Sequence, residues 1–503
     1  MKEKKIFDAL TEIKDEYIEE ARTVKLKRNA HSWKRWTAVA AVAVMAIGIG
    51  GALLLNNLLP FGKNAGSGGL GHAEGTVFMS YAGPVFPLTL SEEDTTVRAS
   101  RNIAYDFLLP DANSIRVWGA NVKDSYTLSN SSSEEKVIKA IYPFAGSFNK
   151  LQEQMPVITV NGQEVSPVLY PGGYSGEFTG VHGSDEESSY NIMQLDSWEG
   201  YKSLLEDGSY KSHAFAPYPV LSQQVTIYEF TDFEAPEDYD AATQAISFYI
   251  DPDKTTILKY GFNGGEYGDD GFRRYSYFVP GGESRRGRTK MLIVIGEDIT
   301  DYKLQGYKNG ACEKGNELDG ISATITRKER ILSDVLKELT DDFLEQYDDG
   351  NWLAVPEGMF DGAVSEYMLR YSLISGSVRD RYHEGMLEDI ILDTGNLQRV
   401  FYLEFEIMIP AGGSAFVTAD MYKNPSYDFA CSYPNNSKIQ GYDMVTQLGS
   451  NLKFDSLTAE LVPTDKIEIV RQNFGFSLPE GVIKVELDLD KEHYYLEIRP
   501  VEQ

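Results

Sequence analysis

The sequence predicts a mainly β protein: β-sandwich modules with helical insertions, preceded by an N-terminal amphipathic helix and one transmembrane helix. Three observations carry this. From about residue 76 onward, short runs alternating apolar and polar residues recur between Gly, Pro and Asn turn signals. Near the start, no charged residue stands between Arg35 and Lys63. Ahead of that run, apolar residues recur in steps of three and four.

Residues 1–35 are read as a cytoplasmic amphipathic helix. Ile6, Phe7, Leu10, Ile13, Tyr17, Ile18, Ala21 and Val24 make one continuous stripe. Acidic residues dominate its first turns and basic ones its end, as the helix dipole favours. A lone helix has nothing to bury such a stripe against, so it lies on a membrane, pairs with a copy or docks on a partner. Its acidic side argues against the membrane surface. Ile6, Leu10, Ile13, Tyr17, Ala21 and Val24 are therefore the candidate partner-binding residues.

Residues 36–58 are read as the transmembrane helix. The stretch Trp36–Leu55 matches the roughly 30 Å of a hydrocarbon core at helical rise. Lys25, Lys27, Arg28, Lys34 and Arg35 precede it, which keeps the N-terminus in the cytoplasm. A cleaved export signal is the alternative, but it calls for a shorter apolar stretch and a shorter preceding region. The expectation is an uncleaved anchor in the cell membrane with everything beyond it extracytoplasmic. Residues 59–75, ending in "GKNAGSGGLGHAEG", read as a Gly-rich linker.

The remainder divides by pattern. Residues 76–216 form a first β-rich domain, in which "VNGQEV" marks a hairpin at Asn161-Gly162 and "SWEGYKSLLEDG" a short helix ending at Gly208. Residues 217–326 form a second β-rich region. Residues 327–396 form a helical insertion, with "RKERILSDVLKELTDDFLEQY" and "GMFDGAVSEYMLRYSLI" as its helices. Residues 397–503 return to strands. "LYPGGY", "FVPGGE" and "MIPAGG" look like turns at strand ends.

Charge narrows the function classes. Of 47 Lys/Arg and 76 Asp/Glu, ten and seven fall in residues 1–35, leaving 37 and 69 for the rest. That acidic excess repels phosphate backbones, so nucleic acid is not an expected partner. The two cysteines, Cys312 and Cys431, are too few for a disulfide scaffold or a Cys-based zinc cluster. They are either one bridge, contributing about 4 kcal/mol through its long loop, or two unrelated buried thiols.

No catalytic, cofactor or metal site emerges from the motifs. None of the six histidines lies three or four residues from another, and "HEGMLED" lacks the second His of a zincin and reads as a polar loop. "GGYSGE" has Glu177 where a nucleophile elbow needs Gly. "SFNK" has the S-x-x-K form without a K-T-G element. The acidic loops "DPDKTT" and "EYGDDG" read as Asx turns rather than calcium loops.

Several stretches carry a family resemblance: "IPAGGSAFVTADMYKNPSYDF", "GYDMVTQLGS", "IEIVRQNFGFSLPEGV", "DKEHYYLEIRP" and the N-terminal "IFDALTEIKDEYIEEA". Together they resemble uncharacterised single-pass membrane proteins of clostridial-type bacteria with an anti-sigma-factor-like N-terminal segment. The resemblance implies a shared architecture and a sigma factor as cytoplasmic partner, but brings no assigned chemistry. The zinc-binding form is excluded, because residues 1–35 hold one His and no Cys. Three readings stay open: a signalling sensor, a surface-exposed binding or structural protein, and, weakest because no nucleophile–base constellation can be assembled, an exported enzyme.

Overall fold

A computed structural model describes residues 82–107, 119–174, 208–236, 242–279, 289–347, 358–375, 385–428, 438–462 and 465–501, with a few positions at 202–206 and 355–356. The amphipathic helix, the membrane span and the Gly-rich linker lie outside these residues. Among the described residues, no helix is long and apolar enough to cross a membrane. The chain is mainly β, as its alternating runs require.

The first region holds β1 (Thr89–Leu90), β2 (Val97–Phe107), β3 (Ala120–Asn130) and β4 (Lys136–Gly146). After a 3-10 turn at Phe148–Lys150 come the short helix α1 (Leu151–Gln154), then β5 (Val157–Val160), β6 (Gln163–Glu164) and β7 (Val168–Tyr174). Every second residue of β2 is buried, from Val97 to Phe107, which is the signature of a one-sided sheet. The Asn161-Gly162 hairpin forms as expected. Both residues have positive φ, 52° and 79°, and Val160 pairs with Gln163 across them.

One turn signal is overruled. Pro171 and its two following glycines lie inside β7, where Pro171 pairs with Phe401 beside a register slip. An edge strand accommodates a proline because its outward N–H is not needed. "MIPAGG", by contrast, does turn, with Gly412 at φ 60°. Gly208, at φ 70°, is a turn residue between helical positions 205–206 and α2 (Ser209–Ala214), so it closes one helical stretch and opens the next.

The second region holds β8 (Gln224–Glu234), β9 (Thr243–Tyr249), β10 (Thr255–Tyr260) and β11 (Gly264–Tyr267). It continues through β12 (Phe272–Phe278), β13 (Lys290–Gly296), β14 (Tyr302–Tyr307) and β15 (Ser322–Ile331). These make two four-stranded sheets, ordered β10-β13-β8-β15 and β11-β12-β9-β14. Phe230, Leu292 and Val294 of one sheet share a core with Ile246, Phe248 and Tyr275 of the other.

Helices α3 (Leu332–Tyr347), α4 (Met359–Tyr371) and α5 (Leu387–Asn396) follow. The expected stripe of α3 is buried at Leu332, Val335, Leu336, Leu339 and Phe343. Its start needs correction: residues 327–331 continue β15 in register with β8. The helix begins only where the amides of Leu332 and Ser333 find the carbonyls of Gln223 and Leu221. A second correction concerns "HEGMLED", whose Leu387–Asp389 open α5 rather than a loop. Phe148 packs edge-on against Phe360 of α4 at 5.3 Å, tying the helices to the first region.

The last region holds β16 (Arg399–Ile409), β17 (Ser414–Lys423), β18 (Tyr427–Asp428) and β19 (Gln440–Val445). It closes with β20 (Lys453–Leu461), β21 (Ile467–Gln472), β22 (Lys484–Glu486) and β23 (His493–Pro500). Read from sequence as a region apart from 76–216, it shares two sheets with it. β16 lies against β4 from Arg399↔Gly146 to Ile409↔Lys136. β17 pairs with β3, and β20 runs parallel to β2. The resulting seven-stranded sheet is ordered β22-β20-β2-β3-β17-β5-β6, beside a four-stranded sheet β1-β4-β16-β7. Among the described residues, the sheet β18-β19-β23-β21 comes wholly from the last region.

Gly162 meets nothing within 4 Å of an added Cβ, so a substitution there tests backbone conformation alone. Gly162→Ala is expected to cost about 1 kcal/mol. The check is a lower urea midpoint with an unchanged denaturant slope.

Candidate functional site

The inward row of β2 and β3 contains two charges among apolar residues. Arg101 follows Val97 and Ala99, and Asp124 sits between Val122 and Tyr126. Both side chains are fully buried. The guanidinium grips the carboxylate with two bonds, Nε to Oδ1 and Nη2 to Oδ2, each 2.8 Å. Nη1 donates to the carbonyls of Val445 and Thr446 at 2.6 and 3.1 Å, and Nη2 to that of Phe86 at 3.2 Å. Asp124 Oδ2 also accepts from the hydroxyls of Tyr126 (2.7 Å) and Tyr142 (3.0 Å). Burial opposes the Arg101 charge, but Asp124 outweighs it and raises the guanidinium above its ordinary value. Burial likewise pushes Tyr126 and Tyr142 well up, so both stay protonated donors.

A second cluster begins where β19 leaves this pair. Asp443 lies 2.9 Å from Nε2 of His493 on β23. Four residues further along β23, Glu497 is paired with Arg471 and accepts from the Tyr427 hydroxyl at 3.0 Å. Lys423, at the end of β17, is buried with its amine donating to the Asn424 carbonyl at 3.1 Å. Burial lowers that amine to about 8, and the nearby Asp443 restores part of the loss. Lys423 and Tyr142 line a cavity of about 10 Å³, with Pro84, Phe86, Gln154 and Gln398 among its walls. A space of that size holds about one water. The arrangement can bind and release protons and hold a single small molecule; it has no room for an organic substrate.

A third buried group joins the helices. Glu366 of α4 meets His213 of α2 at 2.5 Å and Arg370 at 3.5 Å. Burial would raise the Glu366 carboxyl, but the His213 hydrogen bond and the Arg399 charge hold it below its usual value.

The residues picked from sequence fall elsewhere. Ile6, Leu10, Ile13, Tyr17, Ala21 and Val24 lie outside the described residues. Cys312 is a buried free thiol beside Ala245 and Tyr307, and Cys431 lies outside the described residues, so their pairing stays an expectation. Ser147 of "SFNK" is buried and bonded to Asn149, whereas Lys150 is exposed. Asp251 and Asp270 do form Asx turns, accepting from the amides of Asp253 and Phe272. Arg101, Asp124, Lys423 and Asp443 were missed. A signal existed for the first two: a charge standing at an inward position of an alternating strand.

Neither a protein-family model nor a curated protein matches the chain. Among solved structures, the N-terminal domain of the Streptococcus gordonii adhesin Sgo0707 aligns at 7% identity, over 85% of this chain and 88% of that one. Its TM-score is 0.10, a likeness that carries no argument.

Two predictions follow from the charged clusters. Asp124→Ala leaves Arg101 buried without its counter-charge and is expected to cost about 3–5 kcal/mol. The double variant Arg101→Met with Asp124→Leu is expected to cost far less, and urea unfolding of the three proteins checks this. For Lys423 burial lowers the folded amine to about 8, below the roughly 10.4 of an amine in the unfolded chain. Between these limits the unfolded chain binds the extra proton, so this group makes stability rise with pH from 8 to about 10. Lys423→Met is expected to remove that rise, read as the difference between the two unfolding midpoints at each pH.

Proposed function

We propose that the chain is a single-pass membrane protein, N-terminus in the cytoplasm, whose acidic β-rich part lies outside the cell. In this reading it is a non-enzymatic, anti-sigma-like sensor: the external part binds a ligand and the cytoplasmic helix engages a regulator. The observation that carries it is the order of segments. An amphipathic stripe over residues 6–24, a basic cluster, a charge-free run to Gly62 and a Gly-rich linker precede the β-rich part. We read its paired sheets as sandwich modules, with α3–α5 as the helical insertion. A surface-exposed binding or structural protein without a signalling role is the second reading. It is favoured by the buried ion pairs, which bind strands from distant parts of the chain into one arrangement.

In intact cells, added protease is expected to digest the chain beyond Gly62 and to spare an epitope placed before Lys25. Protection of both sides overturns the topology. Leu10→Asp with Ile13→Asp is expected to abolish capture of a sigma factor in pull-downs from membranes while leaving insertion intact. Equal recovery with wild-type and variant protein, or none with either, gives the lead to the second reading.

A further inference from the structure

The small cavity beside Lys423 has more hydrogen-bond donors on its wall than the fold uses. It lies where the ends of β4 and β17 meet α1, and its amide and amine side chains are Gln154, Gln398, Lys423 and Asn424. Gln154 and Lys423 are more than nine-tenths buried, at 7% and 6% exposure. Among the described residues, the Lys423 ammonium donates to one acceptor, the Asn424 carbonyl at 3.1 Å, which leaves two of its three N–H bonds unmet. Gln154 accepts from the Ser147 amide through Oε1 at 3.0 Å, and its Nε2 finds no acceptor. The side-chain amides of Gln398 and Asn424 are likewise unengaged.

Charge makes the same demand. A buried ammonium held by a single backbone carbonyl is poorly compensated. Asp443 on β19 acts on it without forming an ion pair, and that carboxylate faces His493 at 2.9 Å. The Tyr142 hydroxyl, also on the cavity wall, is spent on Asp124. The wall therefore calls for one compact, negatively charged acceptor. A cation is repelled by the amine. A space of about 10 Å³ suits a body the size of a water, which excludes carboxylic acids, phosphate and sugars. Water meets the donors but leaves the charge as it was.

We propose that this cavity is a halide site that holds one chloride ion, bound by the Lys423 ammonium and the side-chain amides of Gln154 and Gln398. The ion ties the end of β17 to α1 and to the residue before β16, three segments far apart in the chain. Only the protonated amine attracts it, so ion binding and protonation reinforce each other. Burial lowers the empty site's amine to about 8, and chloride is held less well as pH rises beyond that value. The site is independent of which side of a membrane the β-rich part occupies.

The test melts the full-length chain, in lipid nanodiscs at pH 7, in sodium chloride and in sodium gluconate of equal ionic strength. Chloride is expected to raise the melting temperature along a saturating curve. Gluconate, too large for the cavity, is not. Lys423→Met is expected to abolish the difference, since general salt effects act alike on both proteins. Gln398→Leu removes an amide that bonds nothing else, and is expected to raise the half-saturating chloride concentration about tenfold, the equivalent of one hydrogen bond to a charged group. It carries the test alone if Lys423→Met does not fold. At pH 10 the wild-type difference between the two salts is expected to vanish. Equal melting in both salts at pH 7 leaves water as the occupant and overturns the proposal. A chloride effect that is unchanged by either substitution, or that persists in full at pH 10, overturns it as well.

Discussion

The pair Arg101–Asp124 is the constraint on which the rest of the architecture depends. Two buried charges are tolerated only when nearly every donor and acceptor around them is satisfied. Satisfying them here takes groups from β2, β3, β4, the 86–88 segment and the end of β19. The Tyr126 hydroxyl adds a further link by accepting from the Leu88 amide at 3.0 Å. Apolar contacts would let these segments slide past one another. Hydrogen bonds to a planar guanidinium fix their distance and angle.

The same logic governs how an acidic chain distributes its charge. In the interior, described carboxylates such as Asp124, Glu366 and Glu497 sit beside Arg or His partners. On the surface, charges are used differently. The edge strand β15 carries Arg327, Lys328 and Arg330, which pair with Asp298, Glu229 and Glu338 at 2.5–2.8 Å. Such exposed pairs contribute little stability. Their effect is to make the edge an unattractive template for a further strand.

Local features were legible in the sequence because local physics sets them. Asn161-Gly162 is a turn because both residues tolerate positive φ, and α3 is a helix because its apolar residues fall on one stripe. Boundaries were less legible. Arg327–Ile331 suits a helix by composition, but pairing with β8 outcompetes that preference. Leu387–Asn396 escaped notice because Gly385 and an acidic run disguise a stripe of Leu387, Ile390 and Ile391. Pro171 reads as a turn until its edge position is known. The largest difference is the joining of residues 76–216 to 397–503. No periodicity in Lys136–Gly146 announces Arg399–Ile409 as its neighbour, since pairing partners are chosen by burial and twist across the whole chain.

The polar row on the outer face of the seven-stranded sheet is a consequence of that long-range pairing. Asn102, Ser125 and Thr159 come from the first region, and Thr418 and Thr458 from the last. Each alone is an ordinary outward residue on a strand, with nothing to distinguish it from its neighbours. They become a row only once β17 settles between β3 and β5 and β20 joins β2 in parallel. That order is held from beneath by Arg101, one residue before Asn102 and on the opposite face, and by Asp124, one residue before Ser125. A strand cannot shift by one residue without exchanging its two faces. The buried charges therefore lock the register of the outer row as firmly as that of the core, and a single ion pair determines what both sides of the sheet present.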